Sequence, residues 1–303
     1  MKSIFIKDKN FTPLPEPVCA AIGNFDGVHL GHQKLIEECK RHNLKSAVVT
    51  FYPHPSVFLK KIPDYRLVTP LEHKAEILSR LGIDYLIVVE FDNELAQMSK
   101  EDFIKNMKFM NIQAFVAGYD FTFAKKAEGN IKDLAQNFEF YEVKKFIFDD
   151  VRVSTTYIRE LLTNGNVHEA NRCLGRQFSI RGNGVFGSQN GRIIGFPTAN
   201  IDYKNYLLPA SGVYFVNVKV DGIIYLGMCN IGHNPTIRYV EERRMEVNIF
   251  NLDEDIYGDN IEVIFVEKIR NETKFSSIEE LRLQLCNDKA KCLELAGELN
   301  YTK

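Results

Sequence analysis

A chain of 303 residues, 45% apolar and 26% charged, is long enough for two domains that each bury a core. A net charge of −2 offers no basic surface for nucleic acid. No long apolar leader opens the chain, charges interrupt each later apolar run, and the six cysteines form no CxxC pair, so a cytoplasmic, soluble protein with reduced thiols and no membrane partner is expected.

Up to about residue 150, apolar strand-like runs alternate with helical patterns. "PVCAAIG" (17–23), "SAVVTFY" (46–52), "DYLIVVEF" (84–91) and "AFVAG" (114–118) read as strands. Helices are predicted over 31–43, 69–82 and 99–110; the latter two open on Thr69 and Ser99 as caps, with Pro70 in a first turn. This alternation predicts a parallel sheet covered on both faces, with ligands beyond the carboxyl ends of its strands. Residues 154–173 read as two short helices hinged at Asn164-Gly165. Past Gly175 five or so strands follow without helices between them, Asp221-Gly222 marking a hairpin, which predicts an antiparallel barrel or sandwich. A last helix is expected over 277–298, opened by the box Ser276-x-x-Glu279.

Three polar constellations fall at the same sheet end. "GNFDGVHLGH" (23–32) is a glycine-rich strand-to-helix turn carrying His29 and His32, "TFYPHP" (50–55) ends a strand at His54, and "STTYIRE" (154–160) sets three hydroxyls and Arg159 near a helix start. Imidazoles, hydroxyls, an arginine and a helix N-terminus suit a polyphosphate whose charge builds up during reaction. A zinc site is the competing reading, but no third ligand completes a recognisable set unless Asp26 serves. The plainest reading is a helix cap with surface histidines. In the second half, "GNGVFGSQNGRIIGFPTAN" (182–200) reads either as a hairpin and turn or as a phosphate cradle, with Thr198 and Asn200 as neutral oxygen ligands for Mg²⁺. Glu246, in "RRMEVNIFN", reads by default as a solvated strand residue.

These motifs, in order and over nearly the whole chain, resemble the prokaryotic bifunctional riboflavin kinase/FMN adenylyltransferases. "FDNELAQMSKEDFI", "AGYDFTFAKKAEGN", "VSTTYIRELLTNGNVHEANRCLGRQFSI", "LPASGVYFVNV" and "GMCNIGHNPTIR" extend the resemblance. It implies an α/β Rossmann-like nucleotidyltransferase domain (1–174) with an HxGH signature, then an antiparallel β-barrel riboflavin kinase domain (175–303) with a closing helix. It further implies riboflavin, FMN and ATP as substrates, FAD as product, and Mg²⁺ at both steps.

Carried over residue by residue, His29 and His32 would stabilise the α-phosphate, while Ser154, Thr155 and Arg159 would hold the leaving phosphates. Gly23, Phe25, Asp26, Gly27, Gly31 and His54 would border the nucleotide, and Asp120 and Phe121 the flavin. In the second domain Gly187 and Gly195 would border ATP, Thr198 and Asn200 would bind Mg²⁺, and Glu246 would be the general base. The chain departs from the family pattern at Ala124 (usually Gly), Ala127 (usually Arg), Asn248 (usually His) and Asn251 (usually Asp). A protein keeping one activity, or a non-catalytic flavin or nucleotide sensor, remains the alternative.

Overall fold

The computed structural model describes residues 1–59, 64–185, 194–233, 243–252, 256 and 258–299. The chain divides into two compact units, Met1–Tyr157 and Ile158–Lys303.

The first unit is built on a six-stranded parallel sheet in the order β1-β4-β3-β2-β5-β8. These strands are β1 (Lys2–Ile6), β2 (Val18–Ile22), β3 (Lys45–Tyr52), β4 (Tyr85–Glu90), β5 (Ile112–Gly118) and β8 (Glu139–Val143). Their side chains alternate between two apolar layers, as the two-residue period of a strand requires. Ala20, Ile22, Val49, Ile87 and Phe115 face one layer, where α5 (Lys100–Phe109) adds Phe103 and Met107. Cys19, Ala21, Val48, Leu86 and Val116 face the other, covered by Leu35 and Ile36 of α1 (Leu30–Cys39) and by Ile77 and Leu78 of α3 (Leu71–Arg80). From β2 the chain steps outward to β3 and β4, then returns to place β5 on the opposite side of β2. That reversal leaves a crevice at the carboxyl ends of β2 and β5, the expected ligand position in such sheets.

The remaining elements of this unit are short: helices α2 (Pro55–Phe58), α4 (Asn93–Ala96) and α6 (Ile131–Ala135), and hairpins β6–β7 (Thr122–Phe123, Gly129–Asn130) and β9–β10 (Ile147–Phe148, Val151–Arg152). Ser99 caps α5 as expected, accepting from the Asp102 amide. Thr69 does not cap α3: Pro70 holds the cap position without a side-chain bond, and the Thr69 amide is taken by Asp26.

The predicted helical pair is present as α7 (Thr155–Thr163) and α8 (Val167–Leu174), hinged at Gly165 with φ 82°. The sequence grouped this pair with the first domain, whereas α8 packs on β16 of the second unit. That unit is a closed barrel in the order β11-β12-β15-β14-β13-β16, one strand richer than expected. Its strands are β11 (Ser179–Val185), β12 (Ala199–Asp202), β13 (Gly212–Val220), β14 (Ile223–His233), β15 (Arg243–Ile249) and β16 (Asn260–Arg270). The hairpin at Asp221-Gly222 is formed with φ 47° and 86°, the left-handed pair that two-residue turns favour. Helix α9 (Ile278–Glu298) begins one residue later than predicted: Ser277 is the cap, accepting from Glu280, whose carboxylate receives the Ser276 amide and hydroxyl. Arg270 grips the buried Asp288 through bonds of 2.8–3.0 Å and fastens α9 to β16.

Candidate active sites

The turn between β2 and α1 is held in an unusual backbone shape. Phe25, Gly27 and Val28 have φ of 50°, 86° and 40°. Positive φ at bulky or β-branched residues persists only where surroundings enforce it. Here Thr50 and Lys74 both donate to the Asn24 carbonyl (3.0 and 2.6 Å), the Thr69 amide donates to the Asp26 carboxylate (2.9 Å), and the Thr155 hydroxyl donates to the Asp26 carbonyl (2.9 Å). Burial pushes the Lys74 ammonium down to about 8, with the Asp26 charge opposing that shift.

The turn delivers His29 as N-cap of α1, its Nδ1 accepting from the His32 amide at 3.2 Å. The cap reading is therefore correct for His29, yet the residue is buried rather than on the surface. The His29 and His32 rings stack with centroids 3.6 Å apart and planes 15° apart, and Phe25 packs against His32 at 5.0 Å. A Cβ on Gly31 would stand 3.1 Å from the His29 ring, so this glycine makes room for the imidazole.

A cleft of about 900 Å³ opens at this sheet end. It brings together Gly23, His29, Gly31 and His32 with Asp120, Phe121, Ser154 and Thr155, as the sequence anticipated. Ser154 accepts from the Tyr157 amide at the start of α7. Other expected residues lie elsewhere. Phe25 and Asp26 are fully buried beneath the turn, and neither they nor Gly27 line the cleft. His54 is buried too; it caps α2 through the Ser56 amide and stacks on Tyr65, while its neighbours Pro55 and Ser56 reach the cleft. Arg159 sits on α7, four residues beyond Thr155, and is not among the lining residues.

The sequence missed Arg152. Its guanidinium meets the Asp120 carboxylate at 2.6 Å and lies over the Tyr119 ring at 5.2 Å, both at the cleft. With Lys126, Lys144 and Lys145 it gives this wall positive charge suited to a phosphorylated ligand. Ala124 and Ala127 line the same wall with φ of 63° and 59°.

In the second unit, Asn200 of β12 is the cross-strand partner of Glu246, and Glu246 is also opposite Asn230 of β14. Directly opposed residues share a sheet face. Their flanking neighbours Ala199, Met245, Val247, Cys229 and Ile231 are buried in the barrel, so Asn200, Glu246 and Asn230 form a polar row on its outer face. Asn248, two residues along this face, donates to the Pro197 carbonyl at 2.6 Å and ties down the segment that carries Thr198. Gly195 has φ 82° with open space around it; Gly187 lies outside the described residues. Thr198, Asn200 and Glu246 offer oxygen donors only, which fit the hard Mg²⁺ ion. Among the described residues no group of three or more His, Cys, Asp or Glu side chains could hold a metal.

The parallel sheet with its switch-point crevice and histidine turn marks the first unit as a nucleotidyltransferase-type α/β domain, joined in one chain to a flavokinase-type barrel. Residues 12–157 match the FAD synthetase family and residues 174–296 the riboflavin kinase family. The bifunctional riboflavin kinase/FMN adenylyltransferase of Bacillus subtilis is 39% identical over 292 residues, covering 92% of each chain. That of Escherichia coli K12 is 34% identical over 301 residues, covering 95% of this chain and 96% of the relative. A crystal structure from Streptococcus pneumoniae, described as a macrolide-efflux protein, is 33% identical with a TM-score of 0.88, covering 96% of this chain and 98% of that one. Among the described residues no helix here is long and apolar enough to cross a membrane. The chain belongs to the bifunctional riboflavin kinase/FMN adenylyltransferase family, its first unit carrying the FAD synthetase module and its second the riboflavin kinase module.

Proposed function

We propose that the chain converts riboflavin to FMN at the outer face of the barrel and FMN to FAD in the cleft of the first unit, each step consuming ATP. The observation that carries the second step is the stacked His29–His32 pair at the switch-point crevice. An FMN phosphate oxygen attacks the α-phosphorus of ATP, the bond to the β-phosphate oxygen breaks, and pyrophosphate leaves. His29 and His32 stabilise the charge gathering on the α-phosphate; Ser154 and Thr155 at the head of α7, with Arg159 a turn further on, receive the departing phosphates. The Asp120–Arg152 pair and Phe121 position the flavin end. Phe25, Asp26 and Gly27 serve the shape of the turn, and His54 braces the adjoining α2 segment.

At the barrel, Glu246 takes the proton of the ribityl 5′-hydroxyl as its oxygen bonds to the γ-phosphorus and ADP departs, a role worth ~10²–10⁴ in rate. Asn200 and Thr198 would hold Mg²⁺, which neutralises polyphosphate charge when bound. The functional division falls at 174/175, residues 1–174 serving adenylyl transfer and 175–303 phosphorylation. A cytoplasmic setting is supported by six free cysteines, of which Cys286 is exposed.

Chromatography of flavins after incubation with riboflavin, ATP and Mg²⁺ tests this reading. Both FMN and FAD should accumulate. His32→Ala should abolish FAD while sparing FMN, and Glu246→Gln should stop riboflavin phosphorylation while sparing FAD formation from supplied FMN. Loss of both activities in a folded His32→Ala protein would contradict separate sites, and undiminished phosphorylation by Glu246→Gln would remove Glu246 as the base.

A further inference from the structure

Lys74 lies on the inner face of α3, only 4% exposed, and takes no part in lining the cleft. Burying an ammonium is costly unless it is partnered. Its Nζ donates to the Asn24 carbonyl at 2.6 Å, in the turn that leads into His29. The same carbonyl takes the Thr50 hydroxyl from β3, and the Asp26 carboxylate, the charge acting on Lys74, takes the Thr69 amide just before α3. Thus β3 and the α3 region grip one strained turn from two sides, and the turn fixes the histidines.

We propose that Lys74 is a positioning residue for adenylyl transfer: by holding the Asn24 carbonyl it keeps the 24–28 backbone in the shape that sets His29 and His32 over the reacting phosphate. The inference rests on the function proposed above. It separates two contributions of Lys74, neutralising Asp26 and tethering Asn24. Both act within the 24–28 turn, and they can be separated because an amide at position 26 keeps an oxygen that accepts from the Thr69 amide. Asp26→Asn thus removes the charge without removing that grip, whereas nothing replaces the Asn24 tether. The flavin contacts come from Asp120 and Phe121, beyond β5, so loss of the tether lowers turnover and leaves FMN binding intact.

The test compares the full chain with Lys74→Met and with the double variant Asp26→Asn/Lys74→Met. Riboflavin phosphorylation serves as an internal control in the same molecule. A displacement on the order of 1 Å at catalytic groups can cost ~10²-fold. Lys74→Met should therefore lower kcat for FAD formation by about 10- to 100-fold with KM for FMN within about twofold, the pattern of an interaction felt only in the transition state. The double variant, freed of the uncompensated carboxylate, should recover thermal stability but not kcat.

A kcat for Lys74→Met within about threefold of the parent overturns the proposal. So does recovery of kcat together with stability in the double variant, which would leave Lys74 only a structural charge. A raised KM for FMN at unchanged kcat overturns it as well. A parent that forms no FAD removes the functional reading and this proposal with it, whereas an active parent and an equally active Lys74→Met protein remove the proposal alone.

Discussion

Ala124 sits at φ 63°, ψ −174°, backbone territory that is essentially reserved for glycine. Replacing it with glycine should therefore stabilise the first unit. Holding a side chain there costs about 1–3 kcal/mol. Against this relief stand about 0.4–1 kcal/mol for the extra freedom glycine brings to the unfolded chain. The lost methyl adds at most ~0.8 kcal/mol, roughly half of that here because Ala124 is only partly buried against the Phe103 side of the core. Taking the middle of each range, strain relief wins by somewhat under 1 kcal/mol, or about a fivefold change in the opening equilibrium. Hydrogen exchange of peptides covering β5 and β8 reads this without assuming that two units unfold together. Exchange in Ala124→Gly should slow by about fivefold, with the barrel strands unchanged. Faster exchange in those peptides would refute the reasoning, because the methyl would then stabilise more than the backbone strains.

Three further outcomes follow from the same geometry. A Cβ at Gly182 would lie 2.1 Å from the Asp202 carbonyl oxygen, so Gly182→Ala must part β11 from β12, which carries Asn200; riboflavin phosphorylation should collapse while FAD forms normally from supplied FMN. Asp288→Ala leaves the Arg270 guanidinium without its partner at a site where Asp288 is 2% exposed, a change that costs about 3–5 kcal/mol; the readout is thiol labelling, in which the buried Cys292 should become reactive while Cys286 reacts in both proteins. Lys74, whose ammonium is pushed down from 10.5 to about 8, binds its proton more weakly in the folded state than in the unfolded chain. The unfolded state thus holds the extra proton between pH 8 and 10.5, and stability from this group rises across that window by about 3 kcal/mol. The parent should gain on Lys74→Met in urea midpoint from pH 8 to 10, and a constant difference would refute that assignment.

Much of this architecture was legible because its signals are local. The apolar runs of β2 to β5 and the long helices needed only periodicity, and the His29–His32 turn announced itself through glycine. Strands β1 and β8 escaped because "KSIFI" and "EFYEV" are five-residue sheet edges with polar residues interleaved. Features set by distant partners were closed to sequence reading. Thr69 looks like a cap, but its amide is claimed by Asp26, 43 residues away; Arg152 meets Asp120 across 32 residues. Lys74 did leave a trace: it stands between Leu71 and Leu78 on the helical stripe that faces the core, where a lysine calls for an explanation.

The four departures from the family pattern weigh unequally once their surroundings are known. Asn248 keeps a hydrogen-bond donor on the Pro197 carbonyl, the service a ring N–H would give from that place, and Asn251 has φ 59°, a conformation that both Asn and Asp tolerate. Asn248 therefore keeps a tether on the residue before Thr198, and Asn251 keeps its backbone turn. Ala124 and Ala127 instead keep left-handed backbone without glycine and leave the cleft wall to Lys126, Lys144, Lys145 and Arg152 for positive charge. Lysines act there as point charges, with Arg152 already engaged by Asp120, so the planar fork that an arginine at 127 would supply is not replaced. Ala127→Arg should accordingly lower KM for FMN in FAD formation and leave riboflavin phosphorylation unchanged; an unaltered KM would show that the existing cations already suffice.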